Sequence, residues 1–197
     1  QTKQFLMVGQ RWDLDIKDWI DFSGDWQSEL KTRLKDSGRL HPRGGSDYFI
    51  FPKDCYQSIP DFAIGRAGWD NWMIYEARRQ GWKAIDATAD IQIIHQDHDY
   101  SHLPNGQPHY RLPETFENVR LAGGARTIFT LIDTDTVLSG GEVKKAEWDG
   151  KKFWREVEIF PLIRLKSYAL AQLMYIILHP QRAYRSFRKW LQSKNNS

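Results

Sequence analysis

Apolar positions along the chain fall into short continuous runs and longer stretches with helical spacing, a combination that predicts an α/β fold. The short runs are typical of buried strands and lie at 5–8, 48–51, 83–86 and 90–95. Helical spacing predicts one helix over 25–35, ended by Ser37-Gly38, and a clearer one over 70–80, ended by Gly81. Residues 53–58 are expected to form one helical turn.

In the second half of the chain, the sequence pattern predicts secondary structure less clearly, except in about the last 30 residues. Residues 114–121 are expected to be helical, whereas 127–132 and 137–138 fit either strand or helix. Residues 167–178 predict an apolar helix that Pro180 interrupts, and 181–192 predict a basic amphipathic helix. We therefore predict a main domain over 1–160 and a helical tail over 161–197.

Charge and cysteine content narrow the function classes. The formal net charge is +3, but six basic residues and no acidic one lie from Lys166 onward. The positive charge thus belongs to the tail, and nucleic acid is not an expected partner. Cys55 is the single cysteine, so no internal disulfide forms, which fits a reducing compartment. No apolar run reaches the roughly 18 residues of a membrane span, and we expect a cytoplasmic protein.

The tail has two interpretations, which its sequence leaves open. Apolar and aromatic side chains combined with arginines over 166–192 are typical of a helix that lies on a membrane surface, beside a lipid-linked acceptor. The same pattern also fits a helix that packs on the domain and keeps its basic face in water.

Candidate chemistry is concentrated between Gly44 and His102. Asp70 opens the clearest helix, where free backbone N–H groups and the helix dipole stabilise a carboxylate; a helix N-cap is the simpler interpretation. Further along, three histidines occur in eight residues, at positions 95, 98 and 102. Imidazoles at this density suit a metal site, although a polar solvated loop also explains them.

Four segments in this stretch carry a resemblance to a known family: Gly45-Ser-Asp-Tyr-Phe-Ile-Phe-Pro-Lys, Phe62-Ala-Ile-Gly-Arg-Ala-Gly-Trp-Asp-Asn-Trp72, Gly81-Trp-Lys-Ala-Ile-Asp86, and Ile93-Ile-His-Gln-Asp-His-Asp-Tyr-Ser-His102. Their order resembles the second, acceptor-side half of GT-A glycosyltransferases, including the inverting family-two-like enzymes. The chain is also similar to poorly characterised bacterial and plant glycosyltransferase-like proteins with Trp-Asp-Asn-Trp and His-x-x-His-Asp-Tyr-Ser-His motifs. The resemblance covers residues 5–135 and is strong from 44 to 102.

The resemblance implies a partial GT-A (Rossmann-like) mixed sheet flanked by helices, with C-terminal amphipathic helices appended. It implies transfer of a sugar from a nucleotide sugar to a carbohydrate or lipid-linked acceptor, with Mn²⁺ or Mg²⁺ as cofactor. Asp70 is the expected general base, and His95, His98 and His102 are the expected metal ligands. The expected substrate-binding residues are Asp47, Arg66, Trp69, Asn71, Asp99 and Tyr100.

The chain departs from the family pattern in two respects. Trp69 stands where the family carries a Glu before its Asp, so the acidic pair is reduced to one acid. The nucleotide-binding half, which ends in an Asp-x-Asp motif, is not evident; Asp13 and Asp15 have the right letters, but too little chain precedes them to form βαβ units.

Two other functions remain open from the sequence. A metal-dependent hydrolase or phosphoesterase would use His95, His98, Asp99 and His102. A non-catalytic carbohydrate-binding protein would use the nine tryptophans as sugar platforms.

Overall fold

The structure is a computed structural model that describes residues 4–97, 101 and 109–195. Its contacts divide the chain into two compact units, Gln1–Ala146 and Glu147–Ser197. This division assigns the whole helical region after residue 146 to the second unit, whereas the sequence prediction placed the boundary at residue 160.

The first unit contains strands and helices in alternation. Its strands are β1 (Phe5–Gly9), β2 (Trp12–Leu14), β3 (Arg39–Leu40), β4 (Tyr48–Ile50), β5 (Lys83–Asp86), β6 (Ile94–Gln96), β7 (Thr136–Ser139) and β8 (Glu142–Lys145). Its α-helices are α1 (Trp26–Ser37), α2 (Trp69–Gln80) and α3 (Pro113–Leu121). Two single 3₁₀ turns, Ala125–Thr127 and Leu131–Asp133, lie between α3 and β7.

The described strands form two sheets. The larger has the order β4-β1-β5-β7-β8, in which β1, β5 and β7 run parallel and the edge strands β4 and β8 run antiparallel to their neighbours. The smaller has the order β3-β2-β6, with β2 parallel to β6 and antiparallel to β3. The α/β class and the mixed sheet predicted from the sequence are thereby confirmed.

Helix α2 covers the centre of the larger sheet. Its core-facing side chains include Ile74 and Ala77, which are fully buried, and β1 contributes the equally buried Leu6 and Val8. The helix ends as predicted at Gly81, whose φ of 77° is left-handed and therefore favours glycine. Trp82 N–H then bonds to Ala77 O at 2.9 Å, which returns the chain directly into β5.

Two local predictions were wrong. Residues 53–58 form turns rather than a helical turn. The strand expected over 90–95 is reduced to Ile94–Gln96, because Ile91 N–H bonds back to Ala87 O in a turn. The carboxylate of Asp90 is also held outside any strand, since it accepts hydrogen bonds from the backbone of Gly140 and Gly141 at 2.9 and 2.7 Å.

The second unit is entirely helical in its described part. It consists of α4 (Gly150–Ile163), α5 (Tyr168–Leu178) and α6 (Pro180–Asn195), and α4 packs against α5. Asp149 and Ser167 cap α4 and α5 through side-chain acceptors. Within the described residues, every helix is too short or too polar to cross a lipid bilayer.

Asn118 on α3 fixes the loop that leads into α2. Its side chain is fully buried, accepts a hydrogen bond from Ala63 N–H at 2.9 Å, and donates to the carbonyls of Ala63 and Ala67 at 3.0 and 3.2 Å. Gly68 closes the loop with a φ of 108°, and a Cβ there would lie 3.3 Å from Asn118 Cβ. The position at which α2 starts therefore depends on Asn118.

Replacing Asn118 with Leu should destabilise the first unit. Leucine has a similar volume but leaves one loop N–H and two loop carbonyls without partners, at about 1–3 kcal/mol for each group that water does not reach. We expect the free energy of unfolding in urea to fall by about 3 kcal/mol. Glu117→Ala, at an exposed position of the same helix, is the control. Equal midpoints for the two variants would contradict this role for Asn118.

Candidate functional site

The paired strands β2 and β6 bring an aspartate and a histidine side by side. Asp13 lies opposite His95 in the parallel register. The pairing extends past β6, because Asp97 N–H bonds to Leu14 O at 2.9 Å. Residues two apart along a strand share a face, so Asp13, His95 and Asp97 lie on one side of the small sheet. One ligand atom from each of the three lies within 4.8 Å of the others.

The carboxylate of Asp13 is buried and held by two further side chains. Arg11 Nε donates to Oδ1 at 2.7 Å, His41 Nδ1 lies 2.8 Å from Oδ2, and His95 Nδ1 lies 3.6 Å from Oδ1. Burial alone would raise the pKa of Asp13, but the hydrogen bonds to His41 and Arg11 and the charge of Arg11 outweigh it and hold the pKa below its ordinary value. Asp13 is therefore ionised at neutral pH.

Two ion pairs border this cluster. Arg11 reaches Asp47 with its second nitrogen at 2.6 Å, and Arg39 pairs with Asp97. Among the described residues, the group thus contains three carboxylates and two guanidinium ions, and this set is net negative when its histidines are neutral. A net negative cluster favours a cation over an anion as its ligand.

The donor set also fits a divalent cation sterically. Ligand atoms at about 2.0–2.2 Å from one ion lie within about 4.4 Å of each other, close to the spacing found here. Each carboxylate oxygen carries two lone pairs, so Asp13 can accept from Arg11 and His41 and still coordinate a metal. Two carboxylates and one imidazole suit Mn²⁺ better than Mg²⁺, which prefers oxygen ligands and water.

Asp70 lies in the first turn of α2 and is half-buried. Gly68, rather than Asp70, occupies the N-cap position. The Asp70 carboxylate accepts hydrogen bonds from backbone N–H groups, including those of Gly68 at 3.2 Å and of Ser46. Burial nevertheless raises the pKa of Asp70 above its ordinary value, against the opposing effect of these N–H groups. Its carboxylate is thus oriented by backbone and more basic than an exposed one.

Loop 41–47 connects Asp70 with the Asp13 cluster. On one side Ser46 N–H bonds to Asp70, and Asn71 Nδ2 donates to Gly44 O at 3.2 Å and to Phe129 O at 2.6 Å. On the other side His41 and Asp47, at the two ends of the loop, contact Asp13 and Arg11. Asp70 and the Asp13 cluster therefore border the same seven-residue loop.

The remaining predicted residues are placed as follows. Trp69 is half-buried and packs on Phe49 with ring centroids 5.0 Å apart. Arg66 donates to the adjacent Gly65 carbonyl at 3.2 Å. Asp15 is exposed, pairs with Lys17 at 3.1 Å, and is not part of the Asp13 cluster. His98, Asp99, Tyr100 and His102 lie outside the described residues.

Sequence reasoning missed Arg11, Arg39 and His41 and did not assign Asp97 as a ligand. No strand was predicted from the sequence over 11–13; a strand there would have suggested that Arg11 and Asp13, two residues apart, share a face. His41 and Arg39 offered no such signal, because they reach the cluster only through the pairing of β3 with β2.

Comparison with known proteins gives no relative from which a function could be transferred. No protein-family model matches the chain, and neither a curated protein nor a solved structure matches it. The function of the site has to follow from its own residues and geometry.

Replacing Asp13 with Asn should destabilise the protein in a pH-dependent way. The pKa of Asp13 is lowered by folding, so its stabilising contribution is present above the ordinary range of Asp and is lost as pH falls through the folded-state value. With chelator present, we expect a loss of about 2 kcal/mol in the free energy of unfolding at pH 7, since charged hydrogen bonds contribute about 1.5–3 kcal/mol. The loss should shrink below about pH 4.

Asp15→Asn is the matched control for this measurement, because Asp15 is an exposed aspartate two residues away. Its effect should stay within about 0.5 kcal/mol at every pH. A loss for Asp13→Asn that does not change with pH would mean that the Asp13 charge is not what stabilises the cluster.

Proposed function

We propose that this chain forms the acceptor-side, catalytic part of a GT-A-type glycosyltransferase, which moves a sugar from a nucleotide sugar to a carbohydrate or lipid-linked acceptor. One observation carries the proposal: Asp70, a half-buried carboxylate with a raised pKa, and the carboxylate-rich Asp13 cluster border the same loop. A proton acceptor and a cation site, here both in contact with loop 41–47, are the two components that glycosyl transfer requires.

Asp70 acts as the general base in this proposal. Its carboxylate takes the proton of the acceptor hydroxyl, whose oxygen forms a bond to the anomeric carbon while the bond to the diphosphate oxygen breaks. A raised pKa makes the carboxylate a stronger proton acceptor. The N–H groups of Gly68 and Ser46 hold one orientation of the carboxylate, which reduces the entropy lost on reaching the transition state.

Asp13, His95 and Asp97 would hold the divalent cation. A bound Mn²⁺ would supply positive charge that stabilises the departing diphosphate. Arg11 and Arg39 fix the orientation of the carboxylates from outside the cluster, as expected for side chains that support metal ligands. His41 has the same role toward the second oxygen of Asp13.

A metal-dependent hydrolase is the second candidate, and the Asp13–His95–Asp97 cluster is the observation that favours it. Such an enzyme would activate water at the metal and cleave phosphate esters without a nucleotide sugar. Its activity would not depend on Asp70. The same metal site therefore serves either reaction, and Asp70 distinguishes them.

Replacing Asp70 with Asn should separate catalysis from stability. Loss of a general base lowers the rate of transfer by about 10²–10⁴-fold, measured with the longest natural form of the protein, Mn²⁺ and a panel of nucleotide sugars. Because folding raises the pKa of Asp70, ionisation of this group destabilises the native state as pH rises through the folded-state value. Asp70→Asn should therefore be at least as stable as the wild type at pH 7.

Asp54→Asn, an exposed aspartate away from loop 41–47, is the control and should change neither quantity. Transfer that survives in Asp70→Asn would exclude Asp70 as the base. Phosphatase activity that needs Mn²⁺ but neither Asp70 nor a nucleotide sugar would establish the hydrolase instead.

Manganese alone should stabilise the protein through the cluster. A ligand present at 100 times its Kd adds about 2.7 kcal/mol to the free energy of unfolding, which raises the melting temperature of a chain of this size by several degrees. Asp97→Asn and His95→Ala should each abolish the rise, whereas Asp15→Asn should retain it. A rise that persists in both cluster variants would place the cation elsewhere.

A further inference from the structure

Helices α5 and α6 each leave large apolar side chains open to solvent. On α5, Leu173 and Ile177 are 53% and 62% exposed, and on α6, Tyr184 and Phe187 are 62% and 55% exposed. Soluble proteins rarely expose so many large apolar side chains on adjoining helices unless the surface binds another molecule. We refer to these residues, together with Leu191, as the tail surface.

The α6 part of the tail surface forms a continuous stripe. Tyr184, Phe187 and Leu191 follow the i, i+3, i+7 spacing of one helix face. Arg182 and Arg185 lie on the opposite side of the helix, and Arg188 borders the stripe; all three are exposed.

Charge identifies the kind of partner that fits this surface. From residue 166 to 197 there are six basic residues and no acidic one. A second copy of the chain would bring like charges together, so self-association through this surface is disfavoured. An aromatic and aliphatic stripe on a helix whose other faces carry arginines and no acidic residue suits the boundary between the headgroups and the acyl chains of an anionic bilayer.

We propose that α5 and α6 bind the surface of an anionic lipid bilayer. The side chains of Tyr184, Phe187 and Leu191 enter the outer acyl region, and the arginines of α6 contact headgroup phosphates. The helices lie on the membrane rather than crossing it, in keeping with the shortness of the described helices. This inference does not depend on the reaction that the first unit catalyses.

Co-sedimentation with vesicles tests the proposal. The protein should bind vesicles of phosphatidylcholine with 30% phosphatidylserine, bind phosphatidylcholine alone far more weakly, and lose binding in 1 M NaCl, where screening acts within about 3 Å. The triple variant Arg182→Gln, Arg185→Gln, Arg188→Gln should bind on the order of 100-fold more weakly, from about fivefold per basic side chain near the surface. The corresponding Arg→Lys variant should retain binding.

The chain offers matched controls for both components of the surface. Lys31→Gln, Arg33→Gln, Lys35→Gln removes three exposed charges from α1 and should leave binding unchanged. For the apolar component, Phe187→Ser should weaken binding at least tenfold, whereas Phe116→Ser, at a position on α3 that is 65% exposed, should not. Circular dichroism should show the same helix content for all variants.

Three outcomes would overturn the proposal. Failure of the wild type to bind anionic vesicles excludes a lipid partner. If the α6 and α1 charge variants lose vesicle binding equally, binding depends on the net charge of the protein and not on the tail surface. A dimer in sedimentation velocity without lipid, dissociated by Phe187→Ser, assigns the tail surface to a second copy of the chain.

Discussion

The carboxylate of Asp13 is the constraint on which the arrangement of the first unit's site depends. An ionised side chain that is only 12% exposed is costly unless its charge and lone pairs are matched. Arg11 supplies the charge from the residue just before β2, and His41 supplies a hydrogen bond from the loop that follows β3. Satisfying one buried acid therefore fixes the pairing of β3 with β2 and the starting point of loop 41–47.

Asp70 is also a carboxylate partly removed from water, but its charge is stabilised by different groups. Within the described part of the chain, the groups that oppose the effect of burial on its pKa are backbone N–H groups, which do not cancel that effect. The two aspartates thus differ in basicity although they border one loop. Environments that shift the pKa values of acids in opposite directions are a common way of assigning them different roles: here Asp13 suits an electrostatic role and Asp70 suits proton transfer.

Helix ends and short strands were predictable because nearby residues in the sequence determine them. Gly81 ends α2 through its own left-handed φ, and Asp25 caps α1 by accepting from Ser28 N–H at 3.4 Å. The strand over 83–86 was predicted with its observed bounds. Each of these features depends on residues within one or two turns, so hydrophobic period and cap chemistry were sufficient.

The site was only partly predictable because it is assembled by tertiary pairing. The pair of His41 with Asp13 joins residues 28 apart, and the pair of Arg39 with Asp97 joins residues 58 apart. No local pattern encodes which strand β3 will join, and hence which acid its neighbours will meet. The strand prediction at Asp90 was wrong for a similar reason. Its apolar neighbours predict a strand, but its carboxylate accepts hydrogen bonds from Gly140 and Gly141, about 50 residues away, and Asp90 lies in a turn.

Basic and acidic residues are distributed unequally between the two units, so the units favour ligands of opposite charge. Of the 28 basic and 25 acidic residues, six basic and no acidic ones lie from Lys166 onward, so the rest of the chain carries three more acidic than basic residues. A uniformly basic protein would weaken the cation affinity of a cluster such as that of Asp13, His95 and Asp97, because like charges lower local cation concentration. Because the excess basic residues are confined to the tail, the rest of the chain does not oppose the proposed cation binding, and the tail suits the proposed anionic surface. Salt also screens the two sites differently. The field of the exposed arginines is largely screened beyond a Debye length of about 8 Å at physiological salt, whereas the field of a largely buried carboxylate is screened much less.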